Sequence, residues 1–212
     1  MSNRGNLIII SAPSGSGKTS LASRALREIP GLKFSVSYTT RRPRRGEKQG
    51  VEYFFVSQSE FEERILQKGF LEYAHVYGHY YGTSRSFVES EVEAGNDVLL
   101  DIDVQGALKV KREIPDAVLV FVLPPSLQTL EERLRTRGLD DPEVIEKRLR
   151  IAREEIQHYP EYHYAIVNDV IEESLNELKW IILAARCRIG RRSDQVSQIV
   201  KTFAAKPQGE QG

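Results

Sequence analysis

The segment SAPSGSGKTS at residues 11–20 constrains the fold of this chain more than any other part of the sequence. A short apolar run at 7–10 precedes it, and a segment with helically spaced apolar residues at 21–29 follows it. Gly15 and Gly17 allow the backbone to turn tightly and to approach a ligand. Successive N–H groups in such a turn, beside a helix N-terminus, form an anion-binding concavity. Strand, glycine-rich turn and helix in this order predict a phosphate-binding loop within an α/β fold.

The side chains of the turn predict how a nucleoside triphosphate would be held. Lys18 can reach the β- and γ-phosphates, and the Thr19 hydroxyl can ligate Mg²⁺. Ala12 stands where the strict motif has its first glycine, and Pro13 favours an extended backbone there, which tolerates a β-carbon. An ordinary Gly/Ser-rich turn is the alternative, and the ordered strand, turn and helix disfavour it. The residues expected to bind the triphosphate are Ala12, Pro13, Ser14, Gly15, Ser16, Gly17, Lys18 and Thr19.

Composition narrows the class of protein. The 212 residues suit one domain with an insertion or two small domains, and 30 basic residues balance 30 acidic ones. A formal net charge of zero argues against a protein that coats nucleic acid. The sequence shows no apolar run long enough to span a bilayer and no signal-peptide pattern near its N-terminus. Cys187 is the only cysteine, which fits a reducing cytoplasm, and we expect it to be buried in a helix.

Apolar runs alternate with helical patterns, as expected for a mostly parallel sheet covered by helices. Ser57 and Glu60 form a capping-box pattern that predicts a helix start. The run at 97–103 predicts a buried strand with Asp101 and Asp103 at its C-terminal end, where open α/β sheets bind ligands. The predicted strands are 7–10, 34–38, 53–56, 97–103, 117–123 and 164–168, with strand pieces over 70–81. The predicted helices include 126–137, 142–158 and 170–189, and the residues after about 205 are expected to be disordered.

A loop with four arginines in five positions, 41–45, follows the predicted strand at 34–38. Guanidinium groups match phosphate oxygens in bidentate geometry, so this loop is a candidate site for a second phosphate. Tyr53 and Tyr81 could each donate a hydroxyl hydrogen bond to the same phosphate. A solvated basic loop and a nucleic-acid contact are the alternatives, since basic runs are usually solvated.

Glu72 lies in an otherwise apolar predicted strand, where a carboxylate requires hydrogen-bond donors. Guanine presents N1–H and its 2-amino group side by side, whereas adenine presents a lone pair at N1. A buried acid can therefore select guanine, and such hydrogen-bonded sites discriminate strongly. The alternative is an outward-facing glutamate paired with a lysine, and spacing alone favours this alternative.

Taken together, these residues resemble the guanylate kinase family, in particular its bacterial members, from about residue 5 to the region of Cys187. The pair of motifs Thr39-Thr40-Arg41-x-Pro43-Arg44 and Tyr80-Tyr81-Gly82 is highly specific to that family. The remaining motifs that carry the resemblance are the phosphate loop, Phe34-Ser35-Val36-Ser37-Tyr38, Gly46-Glu47, Gly50-x-x-Tyr53-x-Phe55-Val56, Phe70-Leu71-Glu72-Tyr73-Ala74, Leu100-Asp101-Ile102-Asp103-x-Gln105-Gly106 and Val167-Asn168-Asp169.

The resemblance implies transfer of the γ-phosphoryl group of Mg-ATP to GMP, with Ala12 an ordinary variant among bacterial members. It implies a P-loop nucleoside monophosphate kinase fold with a five-stranded parallel core sheet (1–33, 88–125 and 160–205), a GMP-binding insertion of mixed sheet and helix (34–87) and a helical lid (126–159). The implied GMP-phosphate ligands are Arg41, Arg44, Tyr53 and Tyr81. The implied guanine-side contacts are Ser37, Glu72 and Thr83. Asp101 and Asp103 are implied to face the base, the ribose or the metal.

The same resemblance assigns the catalytic residues as Lys18, Arg41 and the lid arginines Arg133, Arg137 and Arg148. Thr19 is the implied Mg²⁺ ligand, with Asp101 a further candidate. The implied ligands are ATP and GMP, with use of dGMP and the oligomeric state left open; neither nucleic acid nor membrane is expected as a partner, and the expected location is the cytoplasm.

Three alternatives remain at this point. A guanylate-kinase-like module that binds phosphopeptides keeps the fold, but such modules typically lack the phosphate loop that this chain retains. A P-loop kinase for another acceptor and a nucleic-acid-binding ATPase are the others. The last would need a basic stripe, whereas this sequence has one pocket-sized basic cluster.

Overall fold

A computed structural model describes residues 4–76, 78–136 and 141–204 of the chain. Its core is a parallel sheet of five strands with bounds β1 (Leu7–Ser11), β2 (Leu32–Phe34), β7 (Asp97–Asp101), β8 (Val118–Leu123) and β9 (Tyr164–Val167), numbered in chain order. Their spatial order is β2–β7–β1–β8–β9. β1 lies at the centre, with Ile9 paired to Leu100 on one side and to Leu119 on the other. The predicted α/β fold with a five-stranded parallel sheet is confirmed.

Helices cover both faces of this sheet, so the central strands are apolar on both sides. The helices that do so are α1 (Lys18–Glu28), α3 (Arg85–Glu93), α4 (Val104–Glu113) and α7 (Ile171–Ala185). One buried cluster joins α1 and α7 to the sheet through residues such as Ile10, Leu21 and Leu178. A second cluster joins α3 and α4 to the opposite face through residues such as Val88 and Val110.

A second, smaller sheet lies beside the core. Its strands are β3 (Tyr38–Thr39), β4 (Phe54–Phe55), β5 (Phe70–Val76) and β6 (His79–Ser84), in the spatial order β4–β3–β6–β5. Helix α2 (Gln58–Leu66) begins at the predicted capping box, in which the Ser57 hydroxyl and the Glu60 carboxylate each accept from the other's backbone N–H. Phe61 of α2 is fully buried and stacks on Phe70 with ring centroids 4.4 Å apart.

The single strand predicted over 34–38 is wrong. Phe34 ends β2 in the core sheet and Tyr38 begins β3 in the second sheet, so the chain leaves one sheet and enters the other across the irregular residues 35–37. An apolar pattern in the sequence indicates which residues are buried, but it does not indicate the sheet to which they belong.

Two helices after β8, α5 (Leu127–Thr136) and α6 (Pro142–Glu155), form a hairpin that continues into a 3₁₀ helix, Ile156–Glu161. They share a buried cluster of their own, formed by Leu130, Leu134, Ile145, Leu149 and Ala152. This cluster is separate from the two clusters of the core sheet, which gives the hairpin independent packing. The predicted division into core, insertion 34–87 and lid 126–159 stays a prediction.

The final helix, α8 (Ile189–Ala204), is separate from α7, whereas the sequence pattern predicted one helix over 170–189. Cys187 lies between these helices and is exposed, so the prediction that it is buried is wrong. The tail predicted over 206–212 lies outside the described residues. Among the described helices, none combines the length and the apolar character that crossing a membrane requires.

Candidate active site

The predicted phosphate loop lies between β1 and α1, at the C-terminal edge of the core sheet. Gly15 and Gly17 have positive φ angles of 100° and 85°, which residues with a side chain rarely adopt. Gly17 precedes the first residue of α1, so no side chain covers the first N–H groups of that helix. The loop therefore has the backbone geometry of an anion-binding site.

Lys18 and Thr19, the first residues of α1, both contact Asp101 at the end of β7. Lys18 Nζ lies 2.6 Å from Asp101 Oδ1 and donates to the Ile102 carbonyl oxygen at 2.9 Å. The Thr19 hydroxyl donates to Asp101 Oδ2 at 3.3 Å. The register of β7 beside β1, which pairs Asp101 with Ile10, brings this carboxylate to the loop. Thr19 and Asp101 thus present adjacent oxygen atoms of the kind that Mg²⁺ prefers.

A cleft of about 700 Å³ opens beside the loop. Gly15 and Gly17 form one wall, Arg133 of α5 another, and Asn168 and Asp169 after β9 a third. The backbone of Gly15 packs directly on α5, because a β-carbon there would lie 2.9 Å from a methyl carbon of Leu130. The helical hairpin therefore packs directly against the phosphate loop.

Asn168 joins the phosphate loop to a predicted lid arginine. Its side-chain N–H₂ donates to the Ser16 carbonyl oxygen at 2.7 Å, and its own carbonyl oxygen accepts from Arg133 at 2.9 Å. The residue is buried, at 4% exposed. Asn168 belongs to one of the sequence motifs, but the sequence predicts no role for it.

The three predicted lid arginines are placed differently. Arg133 faces the cleft. Arg148 is half-buried on α6. Arg137 lies outside the described residues.

Arg41 is the centre of a cluster on the second sheet. Its guanidinium group donates to Glu47 Oε1 at 2.8 Å and lies 5.3 Å from the centre of the Tyr53 ring. Tyr53 in turn packs edge-on against Tyr81, with ring centroids 5.9 Å apart. The hydrogen bond that Arg41 donates to Glu47 raises the pKa of Arg41, so this cation stays charged. Burial raises the pKa of Tyr53, which keeps its hydroxyl available as a donor.

Arg44 joins this cluster through its backbone. Its N–H donates to Glu47 Oε2 at 2.7 Å, while the residue itself is exposed. Glu47 therefore fixes the loop that carries both predicted phosphate ligands, Arg41 and Arg44. Glu47 belongs to one of the motifs that carry the family resemblance, but the sequence predicts no role for it; the available signal is an acid six residues after an arginine in a basic loop.

Glu72 and Thr83 face one another across β5 and β6. The Thr83 hydroxyl donates to Glu72 Oε1 at 2.7 Å, and both residues are buried. Burial raises the pKa of Glu72 to about 7, with the Thr83 hydrogen bond opposing the shift and the charge of Asp103 adding to it. The prediction of an outward-facing glutamate, which spacing alone favoured, is wrong.

The first turn of α4 approaches Glu72 closely. A β-carbon on Gly106 would lie 2.7 Å from Glu72 Oε2, so glycine is required for this contact. Asp103 caps α4 by accepting from the Gly106 N–H at 2.7 Å. Ser37, the other predicted guanine contact, is half-buried just before β3.

Electrostatic interactions connect these groups across the site. The charge of Asp101, which contacts Lys18, contributes to raising the pKa of Tyr53 in the Arg41 cluster. Glu155 lies at the C-terminal end of α6, and its burial raises its pKa to about 7. The charge of Lys18 opposes this shift and the charge of Asp103 adds to it. Charges on the phosphate loop, the second sheet and the helical hairpin therefore influence one another. The sequence does not predict a role for Glu155, because it is one of several acids in a highly charged helix.

Comparisons with known proteins agree with this arrangement. The family model described as guanylate kinase matches residues 4–185. A guanylate kinase of Desulfitobacterium hafniense is 47% identical over 190 residues, covering 90% of this chain and 95% of that protein. One from Koribacter versatilis is 50% identical over 197 residues, covering 92% and 84%. A crystal structure of guanylate kinase from Anaplasma phagocytophilum superposes with a TM-score of 0.76 at 34% identity, covering 90% of each chain.

Because the family model spans most of the chain and relatives near 50% identity cover about nine-tenths of it, this chain belongs to the guanylate kinase family, the nucleoside monophosphate kinases that convert ATP and GMP to ADP and GDP.

Proposed function

We propose that this guanylate kinase transfers the γ-phosphoryl group of Mg-ATP to GMP in a single in-line step, without a covalent intermediate on the protein. The supporting observation is the position of Asp101, which contacts Lys18 and Thr19 on the donor side and interacts electrostatically with Tyr53 on the acceptor side. Donor and acceptor phosphates bound at the two sides would meet directly, so a protein nucleophile is unnecessary.

The donor triphosphate would bind in the phosphate loop. Its oxygens would accept from the backbone N–H groups at the start of α1 and from Lys18, which would exchange its contact with Asp101 for the phosphate. Ser16 also favours this placement: among the described residues its buried hydroxyl has no hydrogen-bond partner, and a phosphate oxygen is a suitable acceptor.

The donor set of this site fits Mg²⁺. Thr19 and Asp101 supply two neighbouring oxygens, and Mg²⁺ is usually bound by one or two protein oxygens together with substrate phosphates and water. When bound there, the ion would neutralise charge that develops between the β- and γ-phosphates. Thr19 and Asp101 would hold it, and Lys18 would remain free to contact the phosphates.

GMP would bind over the second sheet. Arg41 and Arg44 would contact its phosphate, with Tyr53 and Tyr81 donating hydroxyl hydrogen bonds. Glu72, in its ionised form, would accept from guanine N1–H and the 2-amino group, and Thr83 and Ser37 would complete the contacts on that side. Asp103 lies beside Glu72 and would face the base or ribose.

The helical hairpin would close over the reacting phosphates. Arg133 already faces the cleft, and Arg148 and Arg137 are the other cations assigned to this hairpin. Arginines that neutralise charge in the transition state accelerate phosphoryl transfer by roughly 10³–10⁵-fold. Closure would also exclude water, which otherwise competes with GMP for the γ-phosphoryl group.

The test is ADP release from Mg-ATP with GMP, dGMP, AMP, CMP, UMP or no acceptor. We expect release with GMP and no comparable release with AMP, CMP or UMP; the dGMP result settles the question left open above. Lys18→Met should abolish release while leaving the melting temperature close to wild type. Glu72→Gln should lower the ratio of GMP to AMP turnover. Release that does not depend on an acceptor, or no release with any acceptor, would overturn the proposal, the latter favouring a binding module.

A further inference from the structure

The lysine of the phosphate loop belongs to a cluster of charges that includes the base of the helical hairpin. Lys18 contacts Asp101 directly. The charges of Lys18 and Asp103 both influence the ionisation of Glu155. Asp103 caps the start of α4, and Glu155 is the last residue of α6, where the hairpin continues into the 3₁₀ helix. These three carboxyl groups surround one ammonium group, so the cluster carries more negative than positive charge when all of them are ionised.

Two of the three acids are stabilised as anions by donors of their own. Asp101 lies 2.6 Å from Lys18 Nζ and accepts from the Thr19 hydroxyl at 3.3 Å. Asp103 accepts from the Gly106 N–H at 2.7 Å at the N-terminus of α4, where the helix dipole favours negative charge. Both of these carboxylates are therefore expected to stay ionised.

Glu155 lacks this kind of support. Within the described part of the chain, no N–H or O–H group donates to its carboxyl group, which interacts with Lys18 and Asp103 through charge alone. It ends α6, and the negative end of a helix dipole disfavours an anion at that position. The residue is also half-buried, which costs the charged form hydration. Glu155 is therefore the member of the cluster that accepts a proton most readily.

The surroundings of Glu155 are poor in water. Tyr162, whose hydroxyl oxygen is buried, follows the 3₁₀ helix, and its ring packs on Phe121 with centroids 4.7 Å apart. The charges of Glu155 and Asp103 both influence this hydroxyl, and burial raises the pKa of Tyr162 to about 12. An additional negative charge in this region would gain little from solvent.

Binding of the donor would change the charge balance of this cluster. In the proposed function the triphosphate brings further negative charge to Lys18, which exchanges its contact with Asp101 for the phosphates. Asp101 would keep a cationic partner, because it would hold Mg²⁺. Glu155 would share the charge of Lys18 with the phosphates and be repelled by them, and both effects favour its neutral form.

We propose that Glu155 takes up a proton when Mg-ATP binds, so that binding of the donor is coupled to protonation at the base of the helical hairpin. The proposal rests on the proposed function, since it requires the triphosphate to bind at Lys18. The proton comes from solvent and converts the carboxylate to a carboxylic acid, and no other bond forms or breaks. Neutral Glu155 no longer competes with the phosphates for Lys18.

This coupling makes the affinity for Mg-ATP depend on pH. When the neutral form binds the donor, the apparent affinity follows the fraction of protein in which Glu155 is neutral. Half-ionisation at about pH 7 reduces that fraction about tenfold between pH 6 and pH 8, so the Kd for Mg-ATP should rise by up to about tenfold. GMP should show the opposite dependence, because its proposed contact with Glu72 requires the ionised form.

Calorimetric titration of the full chain with Mg-ATP, in buffers of different ionisation enthalpy, measures the protons taken up. At pH 7 wild type should take up about half a proton more than Glu155→Gln, and this difference excludes protons exchanged by the nucleotide or by other groups. The Kd of Glu155→Gln should be close to that of wild type at pH 6 and should rise less by pH 8. Glu154→Gln is the matched control, because Glu154 is the neighbouring, exposed acid of α6, and it should behave like wild type.

Wild type alone provides an independent measurement. At saturating GMP, where the acceptor already occupies Glu72, kcat/KM for Mg-ATP should fall by up to about tenfold from pH 6 to pH 8. Glutamine has the shape of a neutral carboxyl group, so Glu155→Gln should melt at the wild-type temperature and lose most of this fall. A flat wild-type profile would overturn the proposal.

Two results of the calorimetry would also contradict the proposal. One is wild type taking up no more protons than Glu155→Gln at pH 7. The other is a Kd for Glu155→Gln that rises with pH as steeply as that of wild type, since another group would then be titrating. Binding of Mg-ATP without this proton uptake overturns the proposal alone, whereas no binding of Mg-ATP at any pH overturns the proposed function together with it.

Discussion

The Glu72 carboxyl group lies where water can barely stabilise its charge, since 7% of the residue is exposed. Burial raises its pKa to about 7, so the neutral and ionised forms are both well populated near neutral pH. The proposed contact with guanine requires the ionised form, because both guanine groups are donors. Binding of GMP should therefore release a proton near neutral pH, and affinity for GMP should fall as the pH drops below 7.

Glu72→Gln should make the ligand-free protein more stable above pH 7. An unfolded chain ionises this group near pH 4.5, whereas the folded protein does so at about 7. Between these values the folded state holds a proton that the unfolded state has lost, so wild-type stability falls as the pH rises. Above pH 7 the loss is about 3 kcal/mol, at about 1.4 kcal/mol for each pH unit. Glutamine has no ionisable group, so the Glu72→Gln variant does not lose this stability as the pH rises.

Urea unfolding of the two proteins, below pH 4.5 and above pH 7, measures the effect. The free energies of unfolding should be similar in acid and diverge in alkaline buffer. Glu62→Gln is the matched control, because Glu62 is exposed on α2, and it should show no such divergence. An equal difference between Glu72→Gln and wild type at both pH values would contradict the assignment of the raised pKa to Glu72.

Residues of the site differ in how far the sequence predicts them. Lys18 and Thr19 are predictable, because a single turn and the helix after it set their positions. The role of Asn168 is not predictable, because its partner Ser16 lies 152 residues away in the sequence. Their contact depends on β9 lying beside the phosphate loop. Glu155 is likewise ordinary in sequence and acquires its raised pKa only from burial near Asp103.

The core strands β1, β7 and β8 are predictable because each contains an apolar run that is buried on both faces of the sheet. The short strands β3 and β4 have two residues each, too few for a periodic pattern. The boundary between β2 and β3 is not predicted either, because an apolar pattern does not show that these strands belong to different sheets. The sequence predicts no separate helix α8, whose large apolar residues are exposed in the structure.

Gly15 connects two elements, the phosphate loop and α5. We expect Gly15→Ala to weaken ATP binding and to lower the free energy of unfolding by about 1–3 kcal/mol. The new β-carbon would lie 2.9 Å from Leu130 and 3.0 Å from Leu134, and the residue would keep a φ of 100°, which alanine disfavours. Calorimetric titration with Mg-ATP and urea unfolding measure the two effects.

Gly190→Ala is the control for this substitution. Gly190 lies in α8 with nothing within 4 Å of an added β-carbon, and alanine there should leave ATP binding unchanged and stabilise the helix slightly. If Gly15→Ala bound Mg-ATP as wild type does, the loop and α5 would have more freedom to separate than their packing implies.

At the scale of the whole molecule, Asp97 connects parts of the chain that are distant in sequence. It begins β7, accepts from the backbone and side chain of Asn6 before β1, and pairs with Arg186 and Arg191 at the junction of α7 and α8. Burial opposes ionisation of this carboxyl group, but the bonds from the two arginines and Asn6 outweigh it and lower its pKa. The acid is therefore ionised at neutral pH.

Asp97→Asn should lower the free energy of unfolding by about 2–3 kcal/mol at neutral pH, somewhat less than for a fully buried pair because both arginines retain access to water. The lowered pKa adds a dependence on pH. The stabilisation is present above the ordinary value of 3.8 and is lost as the pH falls through the lower folded value, so the difference from wild type should shrink in strong acid.

Urea unfolding at neutral and acid pH measures this difference, and Glu172→Gln provides the comparison. Glu172 pairs with Arg24, but both side chains are largely exposed, so its loss should have little effect on unfolding. Because the side-chain contacts of Asp97 in the described part of the chain are with Asn6, Arg186 and Arg191, outside the proposed site, Asp97→Asn should phosphorylate GMP normally wherever it is folded. A variant as stable as Glu172→Gln would show that the ion pairs of Asp97 with Arg186 and Arg191 contribute nothing measurable to stability.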